Sequence, residues 1–192
     1  MGMGRDEELV RDLKRRKNGV LESLYNAYAP MLLSVCLRYC GNRQDAEDVL
    51  HDGFIKILKN IHTFEARSSG SFEGWMKRII VNTALNSLRD QTRARQLLDI
   101  DPMQEKIPDE PDEATIWEHL HVSLGNERIM QMICELPPGY RAVFNLYVFE
   151  EYSHKEIAKE LQLSENTSKS QLSKARALLR KKIYEVMEKQ KV

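Results

Sequence analysis

The residues of this 192-residue chain with the clearest chemical pattern lie near its C-terminus. Ser153-His-Lys-Glu156 reads as a capping box: the serine hydroxyl accepts from the backbone N–H of Glu156 while the glutamate reaches back to the cap, which sets where a helix starts. Leu163-Ser164 then makes a tight break, and Ser164 can cap a second helix running from Glu165 to about Glu188. Helix, short turn, helix is the spacing of a helix-turn-helix, whose second helix fits the major groove. On that helix Leu172, Ala175, Leu179, Ile183 and Val186 form a buried stripe, with Ile157, Ala158, Leu161 and Leu163 completing the inner set. Lys169, Ser170, Ser173, Lys174, Arg176 and Arg180 project elsewhere, followed by Lys181 and Lys182. Such donors suit phosphate oxygens and base edges. The competing reading is a solvated amphipathic helix whose basic end complements its dipole.

Two other patterns imitate metal chemistry. Asp48-x-x-His51 and Glu118-x-x-His121 have the carboxylate-x-x-histidine spacing of helical di-iron bundles, but such sites need further inward-facing glutamates on separate helices. No metal and no cofactor is therefore expected, and no catalytic residue. Cys36, Cys40 and Cys134 are too few and odd in number for a disulfide framework, and no Cys-x-x-Cys pair suggests zinc. They read as reduced, buried thiols, although Cys36 and Cys40 stand one helical turn apart, a spacing that leaves a redox or metal role open.

The elements that must position these residues are helical throughout, because apolar residues recur at helical spacing and no segment alternates with period two. The expected fold class is all-α. A first helix is predicted near Asp6 to Lys17, stopped by Asn18-Gly19. A second, from about Val20 to Cys40, carries Leu21, Leu24, Tyr25, Tyr28, Leu32, Val35, Cys36 and Tyr39 on a wide apolar face, and Pro30 should kink or interrupt it. A third, from about Gln44 to Asn60, buries Ala46, Val49, Leu50, Ile57, Leu58 and Phe54. After the polar stretch His62 to Gly70, Ser71 caps a fourth that reaches about Asp90 through Phe72, Trp75, Ile79, Ile80, Ala84 and Leu88. Trp75 and Phe72 are read as core. Helical signals resume near Ile116, then at Glu127 to Cys134, Tyr140 to Phe149 and His154 to Leu161.

The formal net charge is zero, but it is segregated: +4 over residues 1–98, −8 over 99–135 and +4 over 136–192. Asp99 to Ala114 holds three prolines and seven carboxylates against one lysine, a composition that cannot offset its own ordering entropy. It reads as an acidic linker, 96–115, between a domain at 1–95 and another at 116–192. A composition 42% hydrophobic and 30% charged excludes collagenous and disordered classes. No apolar run approaches the roughly 18 to 20 residues of a bilayer span, and the charged N-terminus is unlike a signal peptide, so a cytoplasmic protein without a membrane span is expected.

Asp45-Ala-Glu-Asp-Val-Leu-His-Asp-Gly-Phe-Ile-Lys-Ile-Leu58, Phe72-Glu-Gly-Trp-Met-Lys-Arg-Ile-Ile-Val-Asn-Thr-Ala-Leu-Asn86, Leu136-Pro-Pro-Gly-Tyr-Arg141 and Tyr152-Ser-His-Lys-Glu-Ile-Ala158 closely resemble the extracytoplasmic-function sigma factors of bacterial RNA polymerase. The resemblance runs from about Val20 to Ile183, with its motifs in the family's order. It implies a transcription initiation factor of two helical domains, a region 2-like bundle and a region 4-like helix-turn-helix. The first would bind the polymerase clamp and the minus-ten element, the second the minus-35 element, and the acidic linker would thread the polymerase interior. Asp45, Glu47, Asp48 and Asp52 would face the clamp of the largest catalytic subunit, as a partner presenting arginines requires.

In the same resemblance Phe64 walls the pocket for a base flipped from promoter DNA and Asn82 hydrogen-bonds it, while Lys77, Arg78, Asn86 and Arg89 reach phosphates along the same helix. Lys169, Ser170, Ser173 and Lys174 would lie at the minus-35 groove and Arg176 near phosphate. Asn166-Thr-Ser-Lys169 departs from the family's frequent glycine, threonine, hydrophobic, basic run, so Ser168 fills a usually apolar packing position. The expected partners are core RNA polymerase and promoter DNA; an anti-sigma factor is frequent in the family but leaves no fixed mark here. A monomer is expected when free. A helix-turn-helix regulator with a ligand-sensing first domain, which would bind duplex DNA tightly without polymerase, and a metal enzyme are the alternatives.

Overall fold

In a computed structural model, the structure describes residues 3–65, 72–95 and 125–189, and these divide into two compact units, one up to Ser87 and one from Leu88 onward. The described residues are helical and contain no strand. α1 spans Met3–Lys14, α2 Val20–Cys40 and α3 Arg43–Asn60, followed by a single 3-10 turn at Ile61–Thr63 and then α4, Phe72–Arg95, which begins in the first unit and runs past Ser87 into the second. In the second, α5 spans Gly125–Cys134, α6 Pro138–Val148, α7 His154–Leu161 and α8 Glu165–Lys189. The expected linker at 96–115, the helical signal at Ile116 and the capping residue Ser71 lie outside the described residues.

Glycine sets both ends of α2. Gly19 and Gly41 adopt left-handed backbone at φ 76° and 79°, which costs glycine nothing, and the Gly41 N–H closes the helix on the Leu37 carbonyl. Of the two effects expected of Pro30, interruption does not occur: α2 runs through it. Leu24 and Ala29 before it and Leu32, Val35 and Cys36 after it are all buried, and their packing outweighs the roughly 3 kcal/mol that an interior proline costs. By length and composition α2 would pass for a membrane span, with a window of mean hydropathy 1.3, but a third of that window is buried inside the unit, where Leu24, Leu32, Val35, Cys36 and Tyr39 join its core.

The wide apolar face expected of α2 is only partly used. Leu21 and Tyr25 are 55% and 52% exposed, so the stripe is broader than the helices packed on α2 cover. On α4 the buried set is Phe72, Met76, Ile80, Val81, Ala84, Leu85 and Leu88, whereas Trp75 and Ile79 are half-buried. An aromatic cluster closes this end of the unit. Phe64 lies 5.2 Å from Phe72 and 5.3 Å from Trp75, Phe72 stacks on Trp75 at 5.7 Å, and Tyr28 meets Phe72 edge-on at 5.8 Å. Tyr28 also donates to Asp6 at 2.6 Å and Lys14 Nζ donates to the Phe64 carbonyl at 2.7 Å, so α1 is tied to both sides of the cluster.

In the second unit α6 is the central helix: every residue from Tyr140 to Leu146 is buried. It packs on α7 and α8, and α5 also packs on α8. Arg141 is among those buried residues, and its Nη1 donates to the carbonyls of Cys134 at 2.6 Å and Leu136 at 3.1 Å, satisfying orphan acceptors at the end of α5. Asn145 Nδ2 donates to the Arg141 carbonyl at 2.9 Å.

α3 and α4 pack closely at Gly53, where a Cβ would overlap Ile80 Cδ1 inside the core. Gly53→Leu should therefore lower stability by about 2 kcal/mol, and Ile80→Ala added to it should cost less than it does alone. Denaturant melts of the two single variants and the double variant check this; additive losses would show that the two positions do not share a space.

Candidate nucleic-acid interface

The C-terminal turn is built as the sequence predicts. The Glu156 N–H donates to Ser153 Oγ at 3.3 Å, and Glu156 Oε2 accepts from the Ser153 N–H at 2.8 Å and from its hydroxyl at 2.6 Å. These bonds hold the Glu156 carboxyl below its ordinary range, the side-chain bond first and the backbone bond second. At the far end of α7, Gln162 takes left-handed backbone at φ 56°, and the N–H groups of Gln162 and Leu163 both bond the Ala158 carbonyl. Ser164 Oγ then accepts from the Thr167 N–H at 3.0 Å and starts α8. Leu172, Ala175, Leu179 and Ile183 are buried as expected, while Val186 is half-buried.

This roll leaves Lys169 and Ser170 exposed near the start of α8 and Ser173, Lys174, Arg176 and Arg180 half-buried. Arg176 is not simply solvated: its guanidinium sits 5.3 Å over the Tyr147 ring. Ser168 is fully buried, and its hydroxyl lies 2.9 Å from His154 Nδ1. The ring of His154 in turn stacks on Tyr147 at 4.9 Å. Burial first, then the charges of Lys169 and Arg176, lower the His154 pKa, against a smaller opposing effect of Glu165.

On α4, Arg78, Asn82, Asn86 and Arg89 recur at helical spacing along one side. Arg78, Asn82 and Asn86 are exposed and Arg89 is half-buried. Lys77 is half-buried and pairs with Glu73 at 2.7 Å. Phe64 belongs to the aromatic cluster. It is only 7% exposed, enclosed by Phe72 and Trp75, so its ring is not presented for stacking; Trp75 is the more exposed member of the cluster. Residues 66–71, which follow it, lie outside the described residues.

On α3, Asn42 caps the helix by accepting from the Asp45 N–H at 2.9 Å, and its amide donates to the Asp45 carboxylate at 2.8 Å. Glu47 pairs with Arg43 at 2.7 Å. Asp48 and Asp52 are exposed and, with Ile55 at 38% exposure, fall on one face of the helix. Tyr25 stands 5.1 Å from Phe54 on the same helix, so α2 and α3 together present acidic and apolar side chains. His51 is exposed as well, and Glu118 and His121 lie outside the described residues. Among the described residues no three His, Cys, Asp or Glu side chains gather as a metal site. Burial pushes the Cys36 thiol up to about 12, so it is an inert core group, and burial also raises Cys134.

Two contributors carried little sequence signal. Arg141 stood within a quoted motif with no role, and a buried guanidinium cannot be told from a surface one by type alone. The Tyr147–His154–Ser168 contacts join three helices, so no local spacing announces them.

Two family models match the chain in order: Sigma-70 region 2 over residues 24–94 and Sigma-70, region 4 over residues 126–179. The chain belongs to the sigma-70 family. The region 2 match takes in most of α2, all of α3 and most of α4, and the region 4 match takes in α7 and the part of α8 that carries Lys169 to Arg176. The chain is 29% identical over 161 residues to the ECF RNA polymerase sigma factor SigE of Mycolicibacterium smegmatis, covering 83% of this chain and 60% of that protein. It is 27% identical over 187 residues to the RNA polymerase sigma-H factor of Pseudomonas aeruginosa, 92% of each chain, and 26% identical to the ECF RNA polymerase sigma factor SigW of Bacillus subtilis over 91% of this chain and 94% of that one. The solved structure of CnrH in complex with the cytosolic domain of CnrY aligns with 93% of this chain and 96% of its own, at a TM-score of 0.46 and 21% identity.

The region 4 capping box makes a pH prediction. Because the Glu156 pKa is lowered on folding, its contribution is fully present above the ordinary glutamate value and is lost as pH falls through the lowered one. Ser153→Ala should destabilise the unit by about 1 kcal/mol at neutral pH. Its deficit relative to the parent chain should shrink on acidification through that range, as thermal melts at several pH values would show; a deficit independent of pH would mean that the carboxylate takes no part.

Proposed function

We propose that the chain is a dissociable, promoter-specific transcription initiation factor that binds core RNA polymerase, directs it to a restricted promoter set and assists melting. The observation that carries this reading is that one chain holds both sigma-70 regions in order, over residues 24–94 and 126–179. In this reading residues 1–95 bind polymerase and the minus-ten element, 96–115 form the acidic linker, and 116–192 bind the minus-35 element. The protein works in the cytoplasm beside the polymerase and carries no catalytic residue of its own.

The exposed Asp48 and Asp52 dock on the polymerase clamp, with Asp45 and Glu47 at the edge of the same surface and Leu21, Tyr25 and Ile55 supplying apolar area beside the charges. Such mixed faces suit an interface that forms and releases, since apolar contact gives affinity and charge gives orientation. Asn82 captures the edge of an unstacked base, and Arg78, Asn86, Arg89 and Lys77 follow the backbone. Phe64 supports this site from beneath, as the buried member of the cluster, and Trp75 offers the nearer aromatic surface. One stacked base is worth roughly 1 to 3 kcal/mol, so melting is shared with polymerase. In the second unit Lys169 and Ser170 enter the minus-35 groove first, with Ser173 and Lys174 behind them. Arg176 reaches phosphate from its seat on Tyr147.

The decisive experiment is transcription by purified core enzyme, with and without the chain, from the chain's own upstream region. Promoter-dependent transcripts and co-elution with core are expected; absence of both would falsify the reading. Within it, Asn82→Ala should spare core binding and impair open-complex formation, and equal loss in both assays would remove Asn82 from base capture. Lys169→Ala should weaken promoter binding and flatten the salt dependence by about one ion, measured as the slope of affinity against salt; an unchanged slope would take Lys169 off the DNA backbone.

A further inference from the structure

Resting on the reading of the second unit as a minus-35 binder, we propose that His154 and Ser168 form a positioning pair that sets the pose of α8 and thereby its base preference, with Tyr147 as the platform that holds His154. The residues before and after Ser168 point outward, so the pair sits directly beneath the start of the groove-facing surface. Thr167 and Lys169 are exposed while Ser168 is fully buried, and its hydroxyl meets His154 Nδ1 at 2.9 Å. A buried hydroxyl without a partner is costly, so Ser168 can occupy this place only where an acceptor or donor reaches it. His154, the first residue of α7, supplies that group, and its orientation is restricted by the Tyr147 ring stacked on it at 4.9 Å.

Four side chains on three helices are thereby linked: Arg176 over Tyr147, Tyr147 against His154, and His154 bonded to Ser168. Arg176 and Ser168 both belong to α8, so the chain of contacts leaves that helix and returns to it about two turns later. Contact at two points along one helix constrains its roll and tilt together. An apolar side chain at position 168 would pack without direction; a hydrogen bond of 2.9 Å fixes both separation and angle. Lys169 and Ser170, which follow Ser168 at once, inherit that placement. The lowered pKa of His154 agrees with this arrangement, since a neutral ring keeps one nitrogen able to accept the serine hydroxyl and adds no charge beside Lys169 and Arg176.

The test uses the full chain with core polymerase, competed over a set of promoters that differ only in the minus-35 element. His154→Ala and Ser168→Ala should each change the relative affinities of these elements, in the same direction and by roughly threefold to tenfold, the effect of about one hydrogen bond on pose. The double variant should shift the ranking no further than either single one, because both remove the same bond. His154→Asn, whose side-chain amide offers a polar atom near the place of Nδ1, should restore the parental ranking. A ranking unchanged in both single variants, whatever their melting temperatures do, or independent shifts that add in the double variant, would overturn the pair's role. A parental holoenzyme that opens promoters with no preference among minus-35 elements would instead reject the reading of the second unit, and this inference with it.

Discussion

A long helix can deliver chosen side chains to a groove only if its roll about its own axis is fixed, and the second unit is organised around fixing α8. Burial of Leu172, Ala175, Leu179 and Ile183 does most of this. At roughly 1.5 to 3 kcal/mol for each fully buried side chain, it outweighs the caps at Ser153 and Ser164, each worth about 1 kcal/mol. The caps decide a different matter. They set where α7 and α8 begin, and so which residues fall in the three-residue turn between them. Arg141 acts elsewhere in the unit, as the buried donor that the carbonyls closing α5 find on α6.

The first unit meets the opposite constraint, since it must keep a core and yet leave much of its apolar surface in the open. Val20, Leu24, Ala29, Leu32, Val35, Cys36 and Tyr39 of α2 are buried, while Leu21 and Tyr25 are not. On the uncovered part, Tyr25 stands 5.1 Å from the buried Phe54 of α3, the helix whose other side carries the exposed Asp48 and Asp52. At the other end, the aromatic cluster of Phe64, Phe72 and Trp75 gains by enclosing Phe64, and α1 reinforces that choice through Lys14.

Local signals in the sequence carried most of the helix ends. The capping box at Ser153, the break at Leu163-Ser164 and the stop at Asn18-Gly19 each act within one turn of chain, and the helices they bound start and stop within a few residues of where those signals put them. Acidic Asp48 and Asp52 were legible as surface, because carboxylates four apart with apolar residues on the other side of the helix have nowhere else to go. The Leu21–Tyr25 edge was misread, because periodicity gives a direction of burial without its extent.

The sequence by itself determined the all-helical class, the helix-turn-helix and the identity of the charged and polar residues, since propensity, capping and helical period are local properties. Only the tertiary structure decided that Phe64 is enclosed, that Arg176 rests on Tyr147 and that Ser168 is satisfied by His154. Those outcomes join residues that are distant along the chain or lie on different helices. They are settled by which helices share a core, where burial and hydrogen bonding are optimised together and no short window of sequence contains both partners.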